Sequence, residues 1–250
     1  DEHEAQAEQF GVRQDYAEVT ALRTEGELKL LDTKAGTLRA RSVILAPGAA
    51  PRLLGLPNET ALRGKGVSYC ATCDGAFYRG KTVAVVGGGD TAAADAVFLS
   101  SLCEKVYLIH RRDKLRASKS YTAKLDKPNV EMVWDSVVEE ILENGRVCGI
   151  RVKNIKTQAA REIPLDGLFV AVGNVPATDF VCGAVELDPA GYFTAGEDTK
   201  RIFPAFCRGR LPGKSRCVQI VTASVRRRGR GLRSRRISLL RRERRLLWKK

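Results

Sequence analysis

The apolar residues of this chain recur with two different periods, and the change of period divides it. In AEVTAL (17–22), ELKLLDT (27–33) and GTLRARSVILAPGA (36–49), apolar and polar positions alternate. That is the pattern of half-buried strands in an antiparallel meander, here expected to close on a buried strand, SVILA (42–46). The preceding AQAEQF (5–10) reads as the end of a polar helix. Glycine and proline then interrupt regular structure in PGAAPRLLGLPNE (47–59), which marks a domain junction. Beyond it, KTVAVVGGGDTAAADAVFLSSLCEKVYLIHRR (81–112) runs from a continuous apolar stretch through glycines into an Ala-rich segment and a second apolar stretch. This predicts a strand–helix–strand unit on a parallel sheet. Residues 130–173 alternate again, with a hairpin turn expected at Glu143-Asn144-Gly145. The fold class is α/β.

Composition narrows the picture. At 250 residues the chain has room for two domains, and 44% hydrophobic residues is a globular value. No apolar run approaches the roughly 18 residues of a membrane span, and the acidic opening DEHEAQAEQF is not a signal peptide. The net charge of +14 suggests nucleic acid or an anionic membrane until its distribution is considered. Residues 201–250 hold 18 Lys and Arg against Glu243 alone, whereas residues 1–200 hold 25 against 28 acidic residues. The basicity is therefore confined to a tail, VRRRGRGLRSRRISLLRRERRLLWKK (225–250), unlike the rest in composition and periodicity. Its aromatic residue, Trp248, belongs to no stacking or groove-reading motif.

The glycines carry the first chemistry. Residues 83–86 read as a buried strand, and Gly87-Gly88-Gly89-Asp90-Thr91-Ala92 fits G-x-G-x-x-A. The first glycine permits a tight turn, the second lets main chain approach a pyrophosphate, and the small last position lets helix and strand pack closely. The phosphate then meets the free N–H groups of a helix N-terminus. A site for NAD would show an acidic residue about 20 positions further on. This sequence has His110, Arg111 and Arg112 there, with Arg116 following. Guanidinium groups pair bidentately with phosphate, so the cofactor expected is NADPH; the alternative is a solvated basic helix start.

Two of the seven cysteines, Cys70 and Cys73, form a C-x-x-C; Cys103, Cys148, Cys182, Cys207 and Cys217 are scattered. Without a secretory signal, cysteine usage points to a reducing compartment, here the cytoplasm. A zinc site would need a second pair or nearby histidines, and the histidines are His3 and His110, so no metal is expected. A redox pair beside an NADPH site is chemically coherent, and Asp74 stands ready to protonate a departing thiolate. Two small residues in a turn is the structural alternative. Electrons pass from NADPH to a disulfide usually through a flavin.

CATCDGAFYRGKTVAVVGGGDTA (70–92), HRRDKLRA (110–117) and GLFVAVGNVPAT (167–178) resemble the low-molecular-weight bacterial thioredoxin reductases, with weaker support from VILAPGA (43–49), GLP (55–57) and QIVTAS (219–224). The resemblance covers roughly residues 1–200 and returns at 219–224. It implies a two-domain flavoprotein disulfide reductase whose Rossmann-like NADPH domain (52–178) is inserted into an FAD domain (1–51 and 179–224). Cys73 would face the flavin, Cys70 would attack the disulfide of thioredoxin, and Asp74 would be the acid. Gly87, Gly88, Gly89, Asp90, Thr91, His110, Arg111, Arg112, Arg116 and Gly173 would bind NADPH. A cytoplasmic homodimer is implied as well, with no membrane and no nucleic acid as partner.

The sequence also departs from the family. The family opens on a glycine loop for FAD that this chain lacks, so an incomplete FAD domain and an N-terminal truncation are expected. Ala46-Pro47-Gly48-Ala49 replaces the usual A-T-G-A, and its proline removes an N–H beside the flavin. RIFPAFCRGRLPGKSRC (201–217) replaces a P-G-V-F-A-A-G-D-like strand. An Arg-rich stretch between two in-register pieces is what compensating frameshifts and a scrambled terminus are expected to give; a real basic tail is the alternative. Weak FAD binding and little activity are expected of these 250 residues. A related flavin-dependent reductase with another protein acceptor shares every motif. A non-catalytic NADP-binding module with a nucleic-acid-binding tail is the alternative from another class.

Overall fold

A computed structural model of the chain describes residues 2–194, apart from the side chain of residue 3, and the main chain of residues 206 and 207. QIVTAS (219–224) and the basic tail (225–250) lie outside the described residues. The chain opens with helix α1 (Glu2–Gln9), followed by strands β1 (Val19–Glu25), β2 (Leu28–Thr33) and β3 (Gly36–Ala40). These pair in sequence order as the expected antiparallel meander. Leu22 and Leu31, paired directly across β1 and β2, share the face that packs with Val181 and Val185, whereas the buried Leu30 lies on the opposite face.

The meander stops at three strands. SVILA does not close it: only β4 (Ile44–Leu45) is extended there, and its partner is the parallel segment Phe206–Cys207. The alternation that makes a two-faced antiparallel strand ends at Ala40. Residues 43–46 are continuously apolar, the composition of a strand with parallel neighbours. Leu45 is buried while Ile44 is 66% exposed.

The junction is less irregular than its prolines suggest. It contains β5 (Ala49–Pro51), which forms an antiparallel ribbon with a segment far along the chain, Asn174–Pro176.

The parallel unit follows: β6 (Val67–Ser68), the short helix α2 (Ala71–Asp74), β7 (Thr82–Val86), α3 (Asp90–Leu99), β8 (Lys105–Ile109), α4 (Lys119–Thr122) and β9 (Val130–Val133). An antiparallel trio comes next, β10 (Ser136–Glu143), β11 (Val147–Asn154) and β12 (Ala160–Pro164). The hairpin turns where expected, with Gly145 at φ +72° and Asn144 N–H donating to Arg146 O. Strands β13 (Gly167–Val170) and β14 (Asn174–Pro176) complete the unit, and the Phe206–Cys207 partner of β4 is β15.

The principal sheet has the order β6-β13-β7-β8-β9, with every pair parallel. Its central strands read as continuous apolar runs because both faces are covered. Val83, Val85, Val106, Leu108 and Phe169 pack toward α3, where Ala92, Ala93, Ala96 and Leu99 receive them. Ala84, Val86, Ile109, Leu168 and Val170 pack with Val138, Ile141, Ile150, Val152 and Ile163 of the antiparallel trio. A separate core of Leu22, Leu45, Val181 and Val185 shares no residue with these two. The chain passes between the cores at β5 and β14, where Arg52 N–H also donates to Gly173 O at 2.9 Å.

One buried charge fastens the junction to the sheet. Glu59 is fully buried, and its carboxylate accepts hydrogen bonds from the main-chain N–H groups of Leu54 (3.0 Å) and Gly55 (2.9 Å). The Tyr69 hydroxyl donates to the same carboxylate at 2.9 Å. Burial, reinforced by Glu59, pushes the Tyr69 phenol up to about 12, so it remains a donor. Truncating Glu59 would strand these donors, at about 1–3 kcal/mol for each buried unpaired group. Glu59→Ala is expected to lower the unfolding free energy by about 3 kcal/mol in urea titrations. A loss below about 1 kcal/mol would show that the loop re-forms its hydrogen bonds elsewhere.

Candidate redox and dinucleotide-binding site

Because the principal sheet is wholly parallel, the carboxyl ends of its strands share one edge. Cys70 and Cys73 follow β6, the glycines follow β7, His110 and the arginines follow β8, and Gly173 follows β13. From β7 the order continues one way through β8 and β9 and the other way through β13 and β6. Ligands of open α/β sheets bind outside the carboxyl ends at such a reversal. Cys70 and Gly87, neighbours in the opening motif, follow strands separated by β13, a lateral offset of about 10 Å.

The three glycines answer to three different constraints. A Cβ on Gly87 would stand 2.4 Å from Ala171 O and 2.7 Å from Ala92 Cβ, so the first glycine and the small Ala92 pack against each other. A Cβ on Gly88 would lie 2.0–2.5 Å from the His110 ring. Gly89 caps α3 and has nothing within 4 Å of a Cβ position, which leaves main chain open to a phosphate. Gly88 thus carries a packing constraint, against His110, that the sequence did not reveal.

The loop is stitched to the segment bearing the arginines. Arg116 N–H donates to Gly88 O at 2.7 Å, and Ser118 N–H donates to Asp90 Oδ1 at 2.7 Å. Asp90 therefore uses one carboxylate oxygen as a brace for the 111–118 segment. Thr91, Arg111, Arg112 and Arg116 are exposed beside the helix start. Gly173 is exposed at φ +107°, a left-handed conformation suited to glycine, where the chain leaves β13 for β14. Further along α3, burial alone pushes the Asp95 carboxyl up to about 7, a perturbed acid that the sequence reading assigned no role.

His110 is 6% exposed, and its Nε2 is buried without a hydrogen-bond partner. Burial lowers its pKa most, a hydrogen bond with the Lys114 backbone opposes this, and Arg116, Arg111 and Arg112 lower it further. The imidazole is thus a neutral wall of the glycine loop.

The redox loop begins where β6 ends. Cys70 caps α2, and Cys70 and Cys73 are joined by a disulfide with Cα atoms 5.3 Å apart. The bond occupies both sulfurs and sets aside the reading of two incidental small residues in a turn. Cys73 is exposed and Cys70 half-buried. Asp74, at the end of α2, accepts a hydrogen bond from the Ser68 hydroxyl at 2.6 Å. Ser68 and Tyr69 escaped the sequence reading; a serine two residues before a cysteine is the signal of a local side-chain-to-backbone turn. The remaining described cysteines differ in kind: Cys103 is buried, its thiol pushed up to about 11 by burial, while Cys148 and Cys182 are exposed.

Residues 3–202 match the pyridine nucleotide-disulphide oxidoreductase family. Thioredoxin reductase of Peptoclostridium acidaminophilum is 40% identical over 228 residues, 88% of this chain and 72% of that protein. The chain belongs to this family, on its thioredoxin reductase branch. Thioredoxin reductase of Streptomyces coelicolor is 43% identical over 203 residues, 80% of this chain; the matched part spans 63% of that relative's length. Among solved structures, thioredoxin reductase of Streptococcus pyogenes superposes with a TM-score of 0.71 at 36% identity, covering 88% of this chain and 72% of that one. That of Lactococcus lactis gives 0.69 at 35% identity, covering 86% and 72%.

The two cofactors of a pyridine nucleotide-disulphide oxidoreductase of this branch fit the described residues unequally. A dinucleotide phosphate fits the head of α3, where Gly89 is open and the arginines are exposed. Among the described residues no second glycine loop opens a helix, so a flavin pyrophosphate has no cradle there. No described helix is long and apolar enough to cross a membrane.

The His110 shift has a defined sign. Its folded pKa lies below 6.5, so the folded state binds fewer protons than the unfolded chain in the window below that value. The stability it contributes is present above pH 6.5 and lost as pH falls through the folded pKa. The Tm advantage of the wild type over His110→Asn should shrink between pH 7.5 and 5; a constant difference would contradict a neutral buried imidazole.

Proposed function

We propose that the chain carries the nucleotide and disulfide centres of an NADPH-dependent thioredoxin-disulfide reductase, in which electrons pass from NADPH through FAD to Cys70–Cys73 and then to thioredoxin. The observation that carries this reading is the Cys70–Cys73 disulfide on the same sheet edge as a glycine loop flanked by exposed arginines. Residues 52–178 form the NADPH domain, inserted into a second domain built from 1–51 and 179–224. The separate core of Leu22, Leu45, Val181 and Val185, and the β5–β14 ribbon at the crossings, support that division. The protein acts in the cytoplasm as a homodimer.

Each residue then has a task. Gly89 admits the pyrophosphate to the N-terminus of α3, Gly87 and Ala92 keep helix and strand close, and Arg111, Arg112 and Arg116 bind the 2′-phosphate. Bound FAD supplies the two-electron relay between hydride and disulfide. Once the pair is reduced, the Cys70 thiolate attacks a thioredoxin sulfur and Cys73 displaces it, re-forming the intramolecular disulfide. Asp74 protonates the departing thiolate.

The nucleotide assignment is tested by fluorescence titration of the chain with NADPH and NADH. Arg111→Ala/Arg112→Ala should weaken NADPH about 10–100-fold and leave NADH unchanged, since hydrogen bonds to charged groups contribute about 1.5–3 kcal/mol. Equal losses for both nucleotides would remove the 2′-phosphate reading.

The acceptor assignment is tested by trapping. In a background with the exposed Cys148 and Cys182 changed to serine, Cys73→Ser should form a mixed disulfide with a thioredoxin bearing a single activated cysteine. Cys70→Ser should do so at least about tenfold more slowly, as expected when only one sulfur is placed for attack. Equal rates would overturn the division of roles between the two cysteines. Failure of both, with trapping restored by another disulfide protein, would assign a different acceptor.

A further inference from the structure

We propose that Ser68 is a positioning residue for the disulfide exchange, holding the proton donor Asp74 and the main chain of Cys70 in one arrangement. The inference rests on the reading of Asp74 as the acid. Ser68 ends β6, is 3% exposed, and is in register with Phe169 of the neighbouring strand. The sheet therefore fixes its place independently of the redox loop. Its oxygen accepts the Cys70 N–H at 3.1 Å, and its hydroxyl lies 2.6 Å from Asp74 Oδ2 and 3.4 Å from Cys70 O. A hydroxyl has one proton to give. The shorter contact, to Asp74 Oδ2, takes it.

One buried oxygen thus joins the first and last members of the redox loop. With Oδ2 occupied by Ser68, Oδ1 is the carboxyl oxygen that carries the transferable proton. In reduction by a dithiol, an incoming thiolate attacks Cys70 Sγ and the Cys70–Cys73 bond breaks. Cys73 Sγ leaves with the electron pair and takes the proton from Asp74, which recovers it from solvent. The second thiol of the reductant then displaces Cys70 and closes its own disulfide. The reductant is oxidised by two electrons, and the protein pair is reduced to two thiols. Without Ser68 the carboxyl is free to rotate away from the departing sulfur, and the Cys70 N–H loses its partner.

The test measures reduction of Cys70–Cys73 in the full chain by dithiothreitol, followed by quenched alkylation and the mass of the peptide carrying both cysteines. Asp74→Asn should slow reduction about 100-fold, the lower end for loss of a general acid. Ser68→Ala should slow it about tenfold, and Ser68→Thr, which keeps the hydroxyl, should restore it to within about threefold. The deciding measurement is the double variant Ser68→Ala/Asp74→Asn, expected to be no slower than Asp74→Asn alone, because Ser68 acts through Asp74. If Ser68→Ala slows the Asp74→Asn protein as much as the wild type, Ser68 is a loop support only and the inference is overturned. If Asp74→Asn leaves the rate unchanged, the acid reading falls and takes the inference with it. Those two failures are distinguishable.

Discussion

The structure depends on the parallel register of β7 between β13 and β8. Residues 83–86 pair on one side with residues 167–170 and on the other with residues 106–109, and both faces of the strand are buried. A slip of one residue would reverse every side chain between the α3 layer and the antiparallel layer, so this register is strongly specified. Gly87 comes immediately after it, and the position of the nucleotide loop follows. With every neighbour parallel, the ends carrying the disulfide, the glycines, the histidine and Gly173 lie on one edge.

The redox loop hangs from the edge strand of this sheet, and buried polar groups tie it down. Ser68 reaches forward to Cys70 and Asp74, while Tyr69 reaches back to Glu59 and through it to the junction. A buried carboxylate without hydrogen bonds would be costly; Glu59 is held by main-chain donors and a phenol. The disulfide thus stands on a rigid support although α2 is only one turn long.

The β5–β14 ribbon brings the two crossings between the separate cores side by side. A segment whose ends are adjacent can pack on its own core without stretching the surrounding chain. That arrangement accounts for how one polypeptide completes a core of Leu22 and Leu45 with Val181 and Val185 after an intervening parallel sheet.

Local patterns determined much of this protein. The first three strands of the period-two meander, the central apolar strands of the parallel sheet, the Asn-Gly hairpin and the strand–glycine–helix turn are written in spacing that acts within a few residues, and each formed where the sequence placed it. The C-x-x-C pair was legible for the same reason, since its chemistry resides in residue type and short separation. Tertiary structure decided the rest. The partner of β4 and the β5–β14 pairing join segments more than 100 residues apart, and no local period encodes a distant register. His110 packs against Gly88 as a neutral wall, because burial and three arginines act only once the chain is folded. Ser68 and Glu59 looked like ordinary polar residues; solvent exclusion by the folded sheet is what turned them into the braces of the redox loop.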